Sequence, residues 1–230
     1  MIKKKKIVCL IPARGGSKGI KHKNLKKINN LSLVEIAIRH AKKIKYFDKI
    51  VVNSDHKKII KISQKIGVDV IHREKKYSGD KVSDYQIISS SIKKLKENYD
   101  YVVYLQPTSP FRKNYQLIEA LKIMIKKNYN SIWSVTKIDK KFHPFKVLKS
   151  KKGFLNLFHE RGKKIVARQQ LDDAFIRNGI FYIFNVKALK KYKTIYLPKT
   201  SFYETNYFFI NIDNYNDLRK ARKNYKKILL

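Results

Sequence analysis

The residues best suited to chemistry lie close together near the amino terminus. Pro12-Ala13-Arg14-Gly15-Gly16-Ser17-Lys18-Gly19-Ile20-Lys21-His22-Lys23-Asn24-Leu25 interleaves three glycines with cations, directly after an apolar run. Glycine lets backbone N–H groups come close to a phosphate, and Arg14, Lys18 and Lys23 supply the countercharge. By composition this is a phosphate site. It is not a P-loop, since Gly-x-x-x-x-Gly-Lys followed by Ser or Thr is absent, and Gly15-Gly16-x-x-Gly19 lacks the dinucleotide spacing. Taken alone, the turn also reads as plain punctuation at the carboxyl edge of a first strand. A single Cys9 makes no internal disulfide, and six scattered His with no other Cys give no zinc spacing.

The elements that must position this turn follow from periodicity. Short runs rich in β-branched residues alternate with segments of helical period, which predicts crossover-connected parallel strands. Strands are expected over 7–11, 50–52, 68–71 and 101–105. Between them Leu33, Ile36, Ala37, Ala41 and Ile44, then Ile59, Ile62 and Ile66, then Val82, Tyr85, Ile88, Ile92 and Leu95 mark three helices. Leu117, Leu121 and Met124 mark a fourth helix, and 132–135 resumes the sheet. From 139 to 176 the pattern loosens into short strands over 145–148 and 154–155, an excursion from the main sheet. Strands over 180–184 and 208–210 return to it, and Tyr215, Leu218, Ala221, Tyr225 and Leu229 give a closing helix. At 230 residues and 43% hydrophobic content, the expectation is one α/β domain over 1–230 with a small inserted lobe at 139–176.

Charge is the most unusual bulk property: 54 Lys and Arg against 17 Asp and Glu give +37. Such an excess points to nucleic acid, a membrane surface or a phosphorylated substrate. Yet the lysines occur in nearly every segment, beside heavy use of Ile, Asn and Tyr, which also fits a compositional bias on solvated faces. No RNP, KH or helix-turn-helix signature is visible, and most Tyr and Phe alternate within predicted strands, so no specific nucleic-acid partner is expected. No run approaches 18 apolar residues, and 7–12 is too short for a signal peptide core. The expectation is a cytoplasmic protein without a membrane span.

Several strings resemble a known family. Ile11 to Ile20 with Lys23-Asn24 is similar to the opening signature of the acylneuraminate cytidylyltransferases, also called CMP-sialic acid synthetases. Leu105-Gln106-Pro107-Thr108-Ser109-Pro110-Phe111-Arg112 resembles that family's Leu-Gln-Pro-Thr-Ser-Pro-Leu-Arg. His143-Pro144-Phe145-Lys146 is similar to its His-Pro-Leu-Lys, and Arg168-Gln169-Gln170-Leu171 to its Arg-Gln-x-Leu-Pro. Asn178-Gly179-Ile180-Phe181-Tyr182-Ile183 resembles Asn-Gly-Ala-Ile-Tyr-Ile, and Asn211-Ile212-Asp213 with Asp217-Leu218 resembles Asp-Ile-Asp-Thr with Asp-Leu.

The resemblance implies a three-layer, Rossmann-like nucleotide-diphospho-sugar transferase fold with a mostly parallel central sheet and a dimerisation lobe at 139–176. It implies transfer of CMP from CTP to a nine-carbon 2-keto sugar acid, for surface polysaccharide or glycan synthesis. Ala13, Arg14, Gly15, Gly16, Ser17 and Lys18 would hold the triphosphate, with Lys23 and Asn24 closing over it. Arg73, Asp80 and Ser83 would approach the base. Gln106, Thr108, Ser109, Arg168, Gln169 and Asn178 would meet the sugar. Arg14, Lys18 and Asp213 would carry catalysis, with Mg²⁺ or Mn²⁺ on Asp213 and Asn211 acting through a water. The family has aspartate where this chain has Asn211, so weaker metal binding, or one ion rather than two, is expected. Phe142, Phe145, Phe154, Leu155, Leu157 and Phe158 would form a homodimer face or an internal satellite core.

Departures also matter. Glu74 and Lys75 to Tyr77 differ from the family's usual Pro-x-x-Leu, Asp172 stands where Pro is common, and Ile176-Arg177 shifts an arginine by one place. Gln106-Pro107-Thr108 differs from the Gln-Gly-Asp-x-Pro of the related KDO enzymes, while legionaminic and pseudaminic acids stay open as substrates. So does a family member that binds CTP without turnover.

Overall fold

Strand β1 (Ile7–Pro12) is apolar along its length, as befits a strand covered by helices on both faces. Its alternate side chains divide between them: Ile7, Cys9 and Ile11 join one buried cluster, Val8 and Leu10 another. The computed structural model of the chain describes residues 2–207 and 209–227. After β1 come β2 (Lys27–Ile28), β3 (Leu31–Ser32), α1 (Leu33–Lys42), β4 (Lys49–Ser54), α2 (Lys57–Lys65), β5 (Asp69–His72), α3 (Asp84–Lys94) and β6 (Tyr101–Tyr104). The second half holds α4 (Asn114–Lys127), β7 (Ser131–Lys137), β8 (Leu148–Lys151), β9 (Phe154–Leu157), β10 (Phe175–Asn185), α5 (Val186–Tyr192), β11 (Thr200–Glu204) and α6 (Tyr215–Lys223). Helices α1, α2 and α4 pack on the first cluster and α3 and α5 on the second, so the molecule has three layers.

Seven strands form the central sheet in the order β11-β7-β10-β6-β1-β4-β5. Strand β10 runs against both neighbours and the other pairs are parallel. The sheet is therefore mostly parallel, as expected. Leu10 lies opposite both Val51 and Tyr104, which brings the carboxyl ends of β4, β1 and β6 level. Successive crossovers move from β1 to β4 and β5, then back to β6 on the other side of β1. That reversal opens a crevice at the carboxyl edge, where ligands of open α/β sheets bind. Helix α1 starts there for a local reason: Ser32 and Glu35 cap each other's backbone N–H groups.

Three expectations need correction. The stretch predicted as a strand at 208–210 contributes none: Phe208 lies outside the described residues, and Phe209 and Ile210 have no regular structure. The edge strand is β11 instead, whose Thr-Ser-Phe-Tyr-Glu is half exposed and too polar to stand out. The apolar character near 210 has another cause: Ile212 is fully buried beside Ile20, Phe111 and Leu218 in a third cluster beneath α6. The closing helix stops at Lys223, with a 3-10 turn at Tyr225–Lys227, and Leu229 lies outside the described residues. The strand expected over 145–148 begins only at Leu148, because Pro144–Lys146 is a 3-10 turn.

Strands β8 and β9 form a hairpin away from the central sheet, within the 139–176 excursion. Phe142, Phe154, Leu155 and Phe158 are 64%, 75%, 69% and 64% exposed, so they make no satellite core. Tyr101, Tyr104, Phe181, Tyr182 and Phe184 are buried in the sheet and offer no stacking platform to nucleic acid. Among the described residues, no helix is long and apolar enough to cross a membrane.

Candidate active site

The crevice at the carboxyl edge is a cleft of about 460 Å³. The turn after β1 supplies Arg14, Ser17, Lys18, Gly19, Lys23 and Asn24; Arg73 follows β5; Gln106 and Thr108 follow β6; Asn211 and Asp213 come from the segment before α6. Two glycines of the turn are required by crowding. A Cβ on Gly19 would lie 2.2 Å from the Asp213 carbonyl oxygen, and one on Gly15 would lie 2.6 Å from the His56 ring. Gly16 has nothing within 4 Å of that position. Ala13, Gly15 and Gly16 do not line the cleft: the first two are buried and Gly16 is exposed outside it. The Gly15 N–H donates to Asp55 Oδ1 at 2.7 Å and the Ala13 N–H to the Asn53 carbonyl at 2.9 Å, so neither amide is free for phosphate. Asn24 is buried and donates to the Arg14 carbonyl at 2.9 Å, which fixes the turn's shape.

The cations are already engaged. Arg14 Nη2 lies 2.7 Å and Lys18 Nζ 2.9 Å from the two oxygens of Asp80, and Arg14 Nη1 donates to the Ser78 carbonyl at 3.1 Å. Asp80, assigned to the base by sequence, thus ties the turn to the loop before α3. The hydrogen bond from Lys18, then that from Arg14, holds its carboxyl below the ordinary range. Lys23 Nζ lies 2.9 Å from Asp213 Oδ1, and Asn211 Nδ2 donates to Asp213 Oδ2 at 3.2 Å. Any polyanion entering the cleft competes with Asp80 and Asp213 for these three cations.

On the base and sugar sides the structure sorts the remaining candidates. Arg73 is buried and lines the cleft. Ser83 faces a neighbouring cavity, and its hydroxyl caps α3 through the Gln86 N–H. Ser109 is buried with Oγ 3.4 Å from the Asn178 carbonyl. Asn178 is buried and saturated: its oxygen accepts from Ser134 at 2.7 Å and its amide donates to Thr136 and Thr205. It shapes the wall instead of facing a ligand. Arg168 and Gln169 sit in an exposed 3-10 turn of the lobe and line neither cavity.

Other residues came with no assigned role. Arg112 is fully buried; its Nε donates to the Ile180 carbonyl at 2.8 Å and its Nη2 to the Gln106 carbonyl at 2.7 Å, pinning the Gln106 loop to β10. Tyr104 OH donates to Asp84 Oδ1 at 2.9 Å on the cleft floor. Burial, then the Asp84 charge, pushes that phenol well above its ordinary pKa, so it stays a donor. Val82 and Asp84 form a wall shared with a second cavity of about 380 Å³. There the Arg177 guanidinium lies 5.2 Å from the Trp133 ring and 5.7 Å from the Tyr196 ring, held between two aromatic faces.

Among the described residues, no group of three or more His, Cys, Asp or Glu could hold a metal ion. Mg²⁺ does not need one, since it is commonly bound by one or two carboxylates and completed by substrate phosphates and water. Asp213, with 66% of its side chain exposed, fits that limited demand. The Asn211 amide, which brings no charge, hydrogen-bonds to the carboxylate instead.

A family model described as cytidylyltransferase matches residues 8–228. The chain belongs to the cytidylyltransferase family. It is 29% identical over 197 residues to the N-acylneuraminate cytidylyltransferase of Escherichia coli O18:K1:H7 (strain RS218 / NMEC), covering 84% of this chain and 47% of that protein. It is 27% identical over 211 residues to the post-translational flagellin modification protein B of Campylobacter coli, covering 86% and 85%. The chain spans about half the length of the first of these relatives. A solved CMP:2-keto-3-deoxy-manno-octonic acid synthetase complexed with CTP superposes with a TM-score of 0.73 at 16% identity, over 97% of this chain and 100% of the other. That likeness shows the shared nucleotidyltransferase fold.

Proposed function

We propose that the chain transfers CMP from CTP to the anomeric hydroxyl of a nine-carbon 2-keto sugar acid, releasing pyrophosphate. The observation that carries this reading is the Asp80 bridge, in which two cations converge within 2.9 Å of one carboxylate at the mouth of the crevice. A triphosphate presents more charge than Asp80 and takes over both. Transfer of this kind needs positioning and neutralisation more than covalent intermediates. Arg14, Ser17 and Lys18 hold the phosphates that leave as pyrophosphate. Lys23 and Asn24 close over the nucleotide, and Arg73 meets the base. Asp213, steadied by Asn211, would hold Mg²⁺ or Mn²⁺, which when bound neutralises phosphate oxygens. Lys23 must then release Asp213, and the triphosphate is the anion it turns to.

Gln106 and Thr108 border the sugar side. Beyond Asp84, the clamped Arg177 offers donors to an acyl oxygen at the far end of the sugar, which supports N-acylated acids of the neuraminic, legionaminic or pseudaminic type. The outward Phe154, Leu155 and Phe158 support a homodimer through the lobe. Light scattering should give twice the chain mass, and half that for Leu155→Glu; a monomeric wild type ends the dimer reading. A soluble pool of CTP as donor supports a cytoplasmic reaction. Pyrophosphate release with CTP and Mg²⁺, across a panel of neuraminic, legionaminic, pseudaminic and KDO substrates, tests the whole reading. Release with ATP or GTP but not CTP would overturn it.

A further inference from the structure

Arg73 differs from the other cations of the cleft in having its direction fixed from behind. Its Nε donates to the side-chain oxygen of Asn53, and its Nη2 to the Asn53 carbonyl at 3.1 Å. Asn53 is the penultimate residue of β4 and is itself held, since its Nδ2 donates to Ser91 Oγ at 2.8 Å. Ser91 Oγ donates in turn to the Ile87 carbonyl at 2.7 Å, inside α3. Arg73, Asn53 and Ser91 are 9%, 2% and 1% exposed, so water does not compete for these bonds. The chain of donors ends on a helix backbone, which makes the guanidinium plane a fixed part of the fold. Two of its three nitrogens are used, and Nη1, with two N–H groups, has no partner among the described residues. Nor is Nη1 among the sealed, unpartnered atoms.

We propose that Asn53, anchored by Ser91, is a positioning residue that aims Arg73 at the nucleobase and sets a preference for cytosine over uracil. This rests on the reading that the cleft takes a nucleoside triphosphate. Cytosine presents two adjacent acceptors, O2 and N3, whereas uracil carries a hydrogen on N3. A planar donor group held at one angle pairs with the first edge and meets a donor on the second. A free arginine would tilt to satisfy either base. The amide at 53 is what the clamp requires, because it accepts from Nε and donates to Ser91 at once. Asp could not donate, and Ser could not reach both.

The test uses the full chain and measures binding of CTP and UTP by calorimetry, with kcat and KM for each. Wild type should favour CTP. Ser91→Ala and Asn53→Ala should each cut the CTP-to-UTP preference by about tenfold, through the CTP affinity, while kcat with CTP stays within about threefold. In an Arg73→Ala background, Asn53→Ala should change nothing further, which a general packing role would not predict. The Arg73 Nε–H of wild type should also exchange slowly with solvent by NMR, a readout that needs no variant. Equal affinity of wild type for CTP and UTP, an unchanged preference in folded Ser91→Ala, additive losses in the Arg73→Ala background, or a fast-exchanging Nε–H would each overturn the proposal. Failure of wild type to bind any nucleotide would instead overturn the reading it rests on.

Discussion

Replacing Gly19 by alanine probes the contact between the cationic turn and the Asp213 segment. The new methyl would sit 2.2 Å from the Asp213 carbonyl oxygen, which belongs to the backbone and cannot rotate away. Ordinary carbon–oxygen contact begins at about 3.3 Å, so the turn and the segment must part by about 1 Å. Overpacking of this kind costs about 1–3 kcal/mol, or about 2–12 °C in Tm for a domain of this size. The larger effect should be on turnover, because a shift of about 1 Å between positioned groups costs about 10²-fold. Gly16→Ala is the control: its methyl meets nothing within 4 Å, so folding and Tm should be unchanged. Thermal melts beside pyrophosphate-release kinetics make the comparison. If Gly19→Ala turns over like wild type, the turn and the Asp213 segment do not act as one unit.

Lys18→Ala should lose about 10²–10³ in turnover, as for removal of a donor to developing charge; near-normal turnover would move the phosphate site elsewhere. Asn211→Asp should tighten the Mg²⁺ dependence of CTP binding, and identical titrations in both forms would remove Asn211 from any account of the metal. His40 supplies a stability prediction: burial, then the Arg112 charge, pushes its pKa down to about 4. An unfolded histidine titrates at about 6.5, so the unfolded state binds more protons between these values; stability is full above that window and falls by about 3 kcal/mol as pH drops through it. Urea unfolding should show this slope in wild type and a flatter one in His40→Gln, whereas a wild-type midpoint constant from neutral pH to pH 4 would refute it.

The sheet was legible because its strands are buried on both faces, and an unbroken apolar run as short as Ile7 to Ile11 suits a covered strand better than a helix. Strand β11 was not, since an edge strand with exposed Thr200 and Phe202 carries no such signal. At the site, residue types pointed to the turn and to Asp213, but partnership did not follow from them. Asp80 meets Arg14 across 66 positions, and Lys23 meets Asp213 across 190. No local spacing encodes those pairs. Ser83 and Asn178 show a related limit: sequence alone does not reveal that one small polar residue near a cleft caps a helix and another fills a buried network. Asn53 gave no signal at all, because its effect passes through Arg73.

The excursion leaves the sheet from the end of β7 and re-enters at the start of β10, and those ends are direct neighbours, with Lys137 opposite Phe175. Such a joint tolerates exchange. Chain of almost any length can be spliced between two adjoining points, since each doubling of a loop adds only about 0.6 kcal/mol to its closure. Transplanting this appendage between relatives would therefore leave the crevice intact, because none of the residues lining it comes from 139–176, and gives evolution, or an engineer, a part that can be exchanged without disturbing the rest.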